Sequence, residues 1–336
     1  MKRIAVLLLS LILIFLSACK ENQTPPTDSC TIPSTPVTTG PTLPSTSATP
    51  TEATEPWEQY ITIQYVPEKL NNGVTYTGLP AMMEIDYLVY DQYNLRSLST
   101  ERVDHAFGAA SDGKPHHITV SNQQRFDQWG TSALAWDNLS QDKVLYLTFD
   151  CGYEYQNLTA QMLDILHQKE IKVTFFCTMD YLCDAPQVVA RMITEGHHVG
   201  NHSLSHPSNS AALSREELAM EALAVENHLR VNFGYSSQYF RFPGGVHSEN
   251  AVELLKSVGY RSVFWSIAYA DWDPENQMGT DKAFQTVTSR LHPGAVILLH
   301  TTSPDNVAIL SDLIDYAIAQ GYQFRSLDDY PGWNET

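Results

Sequence analysis

From residue 144 onward the chain alternates short apolar runs with amphipathic ones, and this alternation constrains the fold more than any other feature. Residues 144–149 read as a buried strand from their nearly continuous apolar character. Asn157 is placed to cap a helix in which Met162, Leu163, Ile165 and Leu166 share an apolar face. A strand at 173–176, a helix at 185–195 ended by Gly196, and a short strand at 198–200 follow. Ser214 and Glu217 have the spacing of a capping box and open a long helix. Further strands are expected at 239–241, 261–266, 295–299 and 323–326. Helices are expected from Ser248 to Val258, at 280–291 and at 305–319. Repeated strand–helix units imply a parallel sheet. The expected class is α/β, arranged as a (β/α) barrel with its chemistry just past the strand ends.

Five runs sit at those ends. They are Phe149-Asp150-Cys151-Gly152, Asn201-His202-Ser203-Leu204-Ser205-His206, Arg241-Phe242-Pro243-Gly244-Gly245, Asp271-Trp272 and Leu298-Leu299-His300. Each is weak alone, but their order and spacing supply the parts for metal-assisted amide hydrolysis. Asp150 is the candidate general base, since an ordinary carboxyl, with a pKa of about 3.9, is ionised at neutral pH. His202 and His206, four residues apart, suit two imidazoles converging on one ion. Arg241 is placed to pair with Asp150 and keep it ionised. Gly244 offers a backbone N–H for an oxyanion. His300 is the candidate general acid for the departing amine.

Together these runs resemble the polysaccharide deacetylase family (the NodB-homology type, carbohydrate esterase family 4), over roughly residues 144–330. The resemblance implies a distorted (β/α) barrel that removes acetyl groups from sugars. Phe149-Asp150-Cys151-Gly152-Tyr153-Glu154, Val263-Phe264-Trp265-Ser266, Leu291-His292-Pro293-Gly294, Asp305-Asn306 and Ser326-Leu327-Asp328-Asp329 are most similar to the branch that makes muramic δ-lactam in spore cortex peptidoglycan. By resemblance, Asp271 bonds His300, and Gly244, Trp272 and Leu298 meet the substrate. Asp305 and Asn306 read first as helix-start residues. The cofactor implied is a divalent metal, zinc by ligand type. Cys151 stands where the family usually has a second Asp. Three alternatives stay open: Cys151 is a thiolate ligand completing a His2Cys site, it is a non-ligand and the two histidines hold the metal with water, or no metal binds tightly. The third run also departs from the family, because an aromatic residue is missing at Gly244.

The other end of the chain reads differently. Lys2, Arg3 and the apolar run 4–15 precede Leu16-Ser17-Ala18-Cys19, which resembles a lipoprotein signal with Cys19 as the acylated residue. Residues 20–56 are rich in Thr, Pro and Ser and read as a disordered tether. The expected location is the outer face of the cytoplasmic membrane, reached by a lipid anchor alone. Residues 57–140 read as a small N-terminal extension, with a strand at 61–66, a loop at 111–117, His116 and His117 on the surface, and no chemistry motif. The catalytic domain is expected at 141–332.

The formal net charge of −18 argues against nucleic acid and anionic lipid as partners. Cys177 and Cys183 flank a strand-to-helix turn, and unbridged thiols are the preferred reading there. The expected activity is de-N-acetylation of a peptidoglycan glycan strand, on N-acetylmuramic acid with lactam formation. An N-acetylmuramoyl-L-alanine amidase is then an implied functional partner. The alternatives are a general N-acetylglucosamine or chitin-type deacetylase and an inactive wall-binding lipoprotein.

Overall fold

A computed structural model describes residue 94 and residues 96–334. The signal, Cys19, the tether and the strand expected at 61–66 lie outside the described residues. Among the described residues no helix is long and apolar enough to cross a membrane.

The expected parallel sheet is present. Its strands are β2 (Ala133–Leu134), β3 (Val144–Cys151), β4 (Thr174–Cys177), β5 (His198–Asn201), β6 (Tyr239–Phe240), β8 (Arg261–Val263), β9 (Ala295–His300) and β10 (Gln323–Phe324). Every pairing among them is parallel. The order β3-β4-β5-β6-β8 curls until the chain beyond β8 meets β9 through an Ile267–Ile297 bridge. Because β9 also pairs with β3, the sheet closes into a distorted barrel.

Strand β3 shows how the sheet divides two cores. Side chains alternate across a strand. Leu145, Leu147, Phe149 and Cys151 join one core with Met162, Leu163, Leu166, Leu310 and Leu313. Those partners lie on α2 (Leu158–Gln168) and α8 (Pro304–Ala319). Val144 and Tyr146 join a second core with Phe176, Phe242, Phe264 and Leu298. Thr148 and Asp150 lie in the same even-numbered phase and face inward with them.

Several helix starts obey the expected chemistry and one does not. Ser214 caps α5 (Arg215–Phe233) with both capping-box bonds made. Ser248 caps α6 (Glu249–Ser257) through the Ala251 N–H. Asn157 precedes α2 but sits in the left-handed region and makes no side-chain cap. Glu154 accepts from the Thr159 N–H instead, at 3.3 Å.

The second half of the extension is more structured than its sequence suggests. Residues His117–Trp129 form α1, capped by His116, whose side chain accepts from the Ile118 N–H. Phe126 of this helix enters the inner core, and β2 adds to the sheet beside β8. β1 (Val103–Asp104) pairs antiparallel with β7 (Val246–His247), directly after the Arg241–Gly245 run. The remaining helices are α3 (Met179–Asp184), α4 (Pro186–Thr194) and α7 (Thr280–Thr288).

Candidate active site

Asp150 and His300 are direct neighbours on β3 and β9. Both line a cavity of about 730 Å³ at the strand ends. Their supports arrive from different elements. Arg241, fully buried, donates to Asp150 Oδ1 at 2.8 Å and to Thr148 Oγ1 at 2.9 Å. It also donates to the carbonyls of Val263 at 3.0 Å and Phe264 at 3.3 Å. Its guanidinium lies 4.1 Å from the Phe176 ring centroid. A delocalised cation with this many fixed acceptors can remain charged without water. Burial alone would raise the Asp150 pKa, but Arg241, His202 and His300 together hold it below the ordinary carboxylate value.

His202 follows β5 and is buried. Its Nδ1 lies 2.8 Å from the Arg241 carbonyl oxygen. A carbonyl only accepts, so Nδ1 carries the hydrogen and Nε2 presents a lone pair. That nitrogen lies 3.4 Å from Asp150 Oδ2. Burial pushes the His202 pKa down to about 4, so at neutral pH the ring is neutral, and the cations that hold Asp150 ionised are Arg241 first and then protonated His300. Asn201 anchors the turn, donating to the Ala222 carbonyl at 2.7 Å and to Tyr260 Oη at 2.9 Å. Glu221 accepts from the Ser205 N–H at 2.8 Å and from its hydroxyl at 2.6 Å. Ser203 and His206 adopt left-handed φ of 75° and 52°, a cost that these bonds offset.

The His300 side is equally bonded. Asp271, buried, accepts from His300 Nδ1 at 2.7 Å and from the His300 backbone N–H at 2.8 Å. Asn306 donates to Asp271 Oδ2 at 2.6 Å and to the His300 carbonyl at 3.0 Å. Tyr269 Oη donates to Asn306 Oδ1 at 2.5 Å. Burial would lower the His300 pKa, but the Asp271 bond and charge raise it above the ordinary value.

The structure divides the expected metal ligands. The rings of His202 and His206 stand 5.0 Å apart between centroids. The anchored Nδ1 of His202 leaves Nε2 as an unprotonated donor beside a carboxylate, the usual second-shell arrangement of a metal-binding imidazole. These residues fit a divalent ion at two positions. Cys151 does not join them. It lies in the odd-numbered phase of β3, is fully buried in the helix-side core, and pairs in register with Cys177. Burial and the neighbouring Cys177 push its thiol well above the ordinary value, the opposite of what a thiolate ligand needs. Among the described residues no group of three or more His, Cys, Asp or Glu side chains is placed to hold a metal. Cys177 is also a buried free thiol, whereas Cys183 is disulfide-bonded, but not to Cys177.

Gly244, Trp272 and Leu298 all line the cavity. Trp272 is 59% exposed and stands 6.1 Å from His300 between ring centroids. Gly244 turns at φ 57° within a 3-10 turn, a conformation that favours glycine. Phe107, Tyr153, Trp265 and Tyr269 also line the cavity. Trp265 lay in a run already singled out, but Phe107 carries no sequence signal of its own.

The model of the family described as polysaccharide deacetylase matches residues 137–263. An uncharacterised 30.6 kDa protein of Geobacillus stearothermophilus is 43% identical over 188 residues, covering 56% of this chain and 70% of that protein. The peptidoglycan-N-acetylmuramic acid deacetylase PdaA of Bacillus subtilis is 39% identical over 191 residues, covering 56% of this chain and 72% of that protein. The solved structure of Bacillus subtilis PdaA, titled a family 4 carbohydrate esterase, superposes with a TM-score of 0.66 at 34% identity, covering 71% of this chain and 100% of that one. A carboxylate held by a buried arginine, facing a histidine held by a buried aspartate, thus sits on the barrel that these proteins share, and the chain belongs to the polysaccharide deacetylase family of hydrolases acting on amide bonds.

Proposed function

We propose that this chain de-N-acetylates peptidoglycan, with N-acetylmuramic acid as its sugar and muramic δ-lactam as the end product. The observation that carries the chemistry is the in-register placement of Asp150 and His300 in one cavity, each with its own buried counter-charge. The choice of sugar is supported by the similarity to a relative named for muramic acid deacetylation.

Asp150 Oδ2, the oxygen not taken by Arg241, accepts a proton from water as that water attacks the acetamide carbonyl carbon. Gly244 lines the same cavity, and its backbone N–H would serve as donor to the developing oxyanion. His300 holds one proton on Nδ1 against Asp271 and delivers a second from Nε2 to the sugar nitrogen as the C–N bond breaks. Acetate and a free amine leave. Family deacetylases generally depend on a divalent metal, and an ion held by His202 and His206 would polarise the carbonyl as a Lewis acid.

On a muramic residue the freed amine then condenses with the lactyl carboxyl, forming an amide bond and releasing water. That carboxyl is free only where an amidase has already removed the stem peptide. The lipobox-like Leu16-Ser17-Ala18-Cys19 supports a further part of the reading, attachment by lipid to the outer face of the membrane.

Mass spectrometry of muropeptides tests the proposal. Peptidoglycan, with and without prior amidase treatment, is incubated with the protein. Muramic residues lacking both acetyl and water, seen only after amidase, are expected. Deacetylated glucosamine in untreated wall, with muramic residues intact, would overturn the choice of sugar.

A further inference from the structure

One wall of the cavity comes from outside the strand–helix repeat. Phe107, in the segment between β1 and α1, lines the same cavity as Asp150, His300 and Trp272. Four features hold it there. His105 donates its backbone N–H to the Gly245 carbonyl at 3.3 Å. The His105 ring packs 4.9 Å from Phe264 and 4.8 Å from Trp265 between centroids, and its Nε2 lies 2.8 Å from the Trp265 carbonyl. That carbonyl only accepts, so Nε2 carries the hydrogen. On the other side, buried Thr119 of α1 donates to the Phe107 carbonyl at 2.6 Å, and buried Asn122 donates to the Ala106 carbonyl. Gly108 then turns the chain at φ 70°, where a Cβ would meet His116 Nδ1 at 2.1 Å.

The fit around Gly245 is as close. A Cβ there would lie 2.7 Å from His105 Cβ and 2.9 Å from a Trp265 ring carbon. The segment is therefore seated against the loop that carries Arg241 and Gly244. Phe107 and Trp265 stand 6.4 Å apart between centroids at 63°. They form an aromatic corner close to the position where Gly244 leaves the third motif without an aromatic side chain.

A cavity of about 730 Å³ is far larger than an acetamide group requires and falls in the range that encloses whole ligands. The apolar C–H face of a pyranose ring is the part of a sugar that stacks on an aromatic face, whose π-cloud is negative and attracts the weakly positive hydrogens. We infer that Phe107 is a specificity-determining residue, which with Trp265 forms a platform for a pyranose ring of the bound glycan. This rests on the glycan substrate proposed above. It gives the extension a role in the site, since without it the cavity loses a wall and the third motif its neighbour.

The test is steady-state acetate release from amidase-treated glycan strands by the full chain and by Phe107→Ala and Phe107→Tyr. Phe107→Ala is expected to raise KM about tenfold with kcat changed less than about threefold, the size of a lost aromatic contact. Phe107→Tyr is expected to restore KM. Glycan binding is read separately by intrinsic tryptophan fluorescence, where Phe107→Ala should raise Kd by a similar factor. An unchanged KM and Kd in Phe107→Ala would overturn the inference. So would a loss that Phe107→Tyr does not restore while its melting temperature matches wild type. Wild-type protein that binds glycan strands but releases no acetate would instead overturn the proposed reaction, and the Kd comparison would still decide the role of Phe107.

Discussion

His300 Nδ1 lies 2.7 Å from Asp271 Oδ1, and the other oxygen of that carboxylate accepts the His300 backbone N–H at 2.8 Å. One buried carboxylate thus fixes both the ring and the chain that carries it. The bond sets the tautomer, so the proton for the leaving amine sits on Nε2, the nitrogen that Asp271 does not hold. Asn306 and Tyr269 extend the network behind Asp271 and hold its orientation.

Asp271→Asn should lower kcat by about 10²-fold or more, within the range assigned to a positioned proton donor. The pH profile carries the sharper signature. His300 works protonated, and Asp271 raises its pKa, so activity falls as pH rises through that value. Removing the charge moves this alkaline limb to lower pH. An alkaline limb unmoved in kcat against pH would mean that another group supplies the proton.

Arg241 and Asp150 give the complementary case at acid pH. Arg241→Met removes the cation but leaves the carboxylate buried, at a cost of about 3–5 kcal/mol in stability. The folded Asp150 pKa is depressed, so its contribution to stability is present above the unfolded value and is lost as pH falls through the folded one. In the variant the Asp150 pKa rises, and the acid limb of activity moves to higher pH. Urea titration and the pH profile of any residual activity check the two parts. Wild-type stability in the variant would mean that the pair is not coupled as its 2.8 Å contact implies.

Much of this site is legible in the sequence because each group follows a strand, and strands announce themselves by apolar runs. Asp150, His202, Arg241 and His300 all fall where strand ends place them. Three features were hidden for different reasons. Cys151 neighbours Asp150 in sequence, but the period of two in a strand sends its thiol to the opposite face. Asn306 reads as a helix-start residue, and only the folded α8 brings its amide to Asp271. Phe107 belongs to a segment with no regular period, and its position depends on long-range bonds from His105, Thr119 and Asn122.

Cys151 yields a direct test of which groups hold an ion. Cys151→Ala is expected to keep its zinc stoichiometry and to change acetate release less than about threefold, because the thiol is outside the cavity lining. Its cost is packing, about 1 kcal/mol for a small buried group. His202→Ala should abolish zinc binding, since it removes the anchored imidazole. Equilibrium dialysis with zinc separates the two. Loss of zinc from folded Cys151→Ala would make the thiol a ligand after all.

Several buried or half-buried histidines outside the catalytic pair contribute to the acid stability, among them His105, His197 and His228, and two show the cause most plainly. His247 and His292 are buried, and each holds Nδ1 on a carbonyl, of Gly245 at 2.9 Å and of Pro293 at 3.0 Å. The Nε2 of each is buried without a partner among the described residues. Protonating that nitrogen would place an unpaired cation in an apolar interior, so burial pushes each pKa down to about 4. In the unfolded chain both return to the ordinary value near 6.5. Between those values the unfolded state binds protons that the folded state refuses. Stability is therefore full above about pH 6.5 and falls as pH drops toward 4, by up to about 1.4 kcal/mol per pH unit for each histidine. Urea unfolding between pH 7.5 and 4.5 should show this slope, and His292→Gln should flatten it by one histidine's share. An equal slope in wild type and variant would mean that His292 is charged in the folded protein, against the absence of any partner for its Nε2 among the described residues.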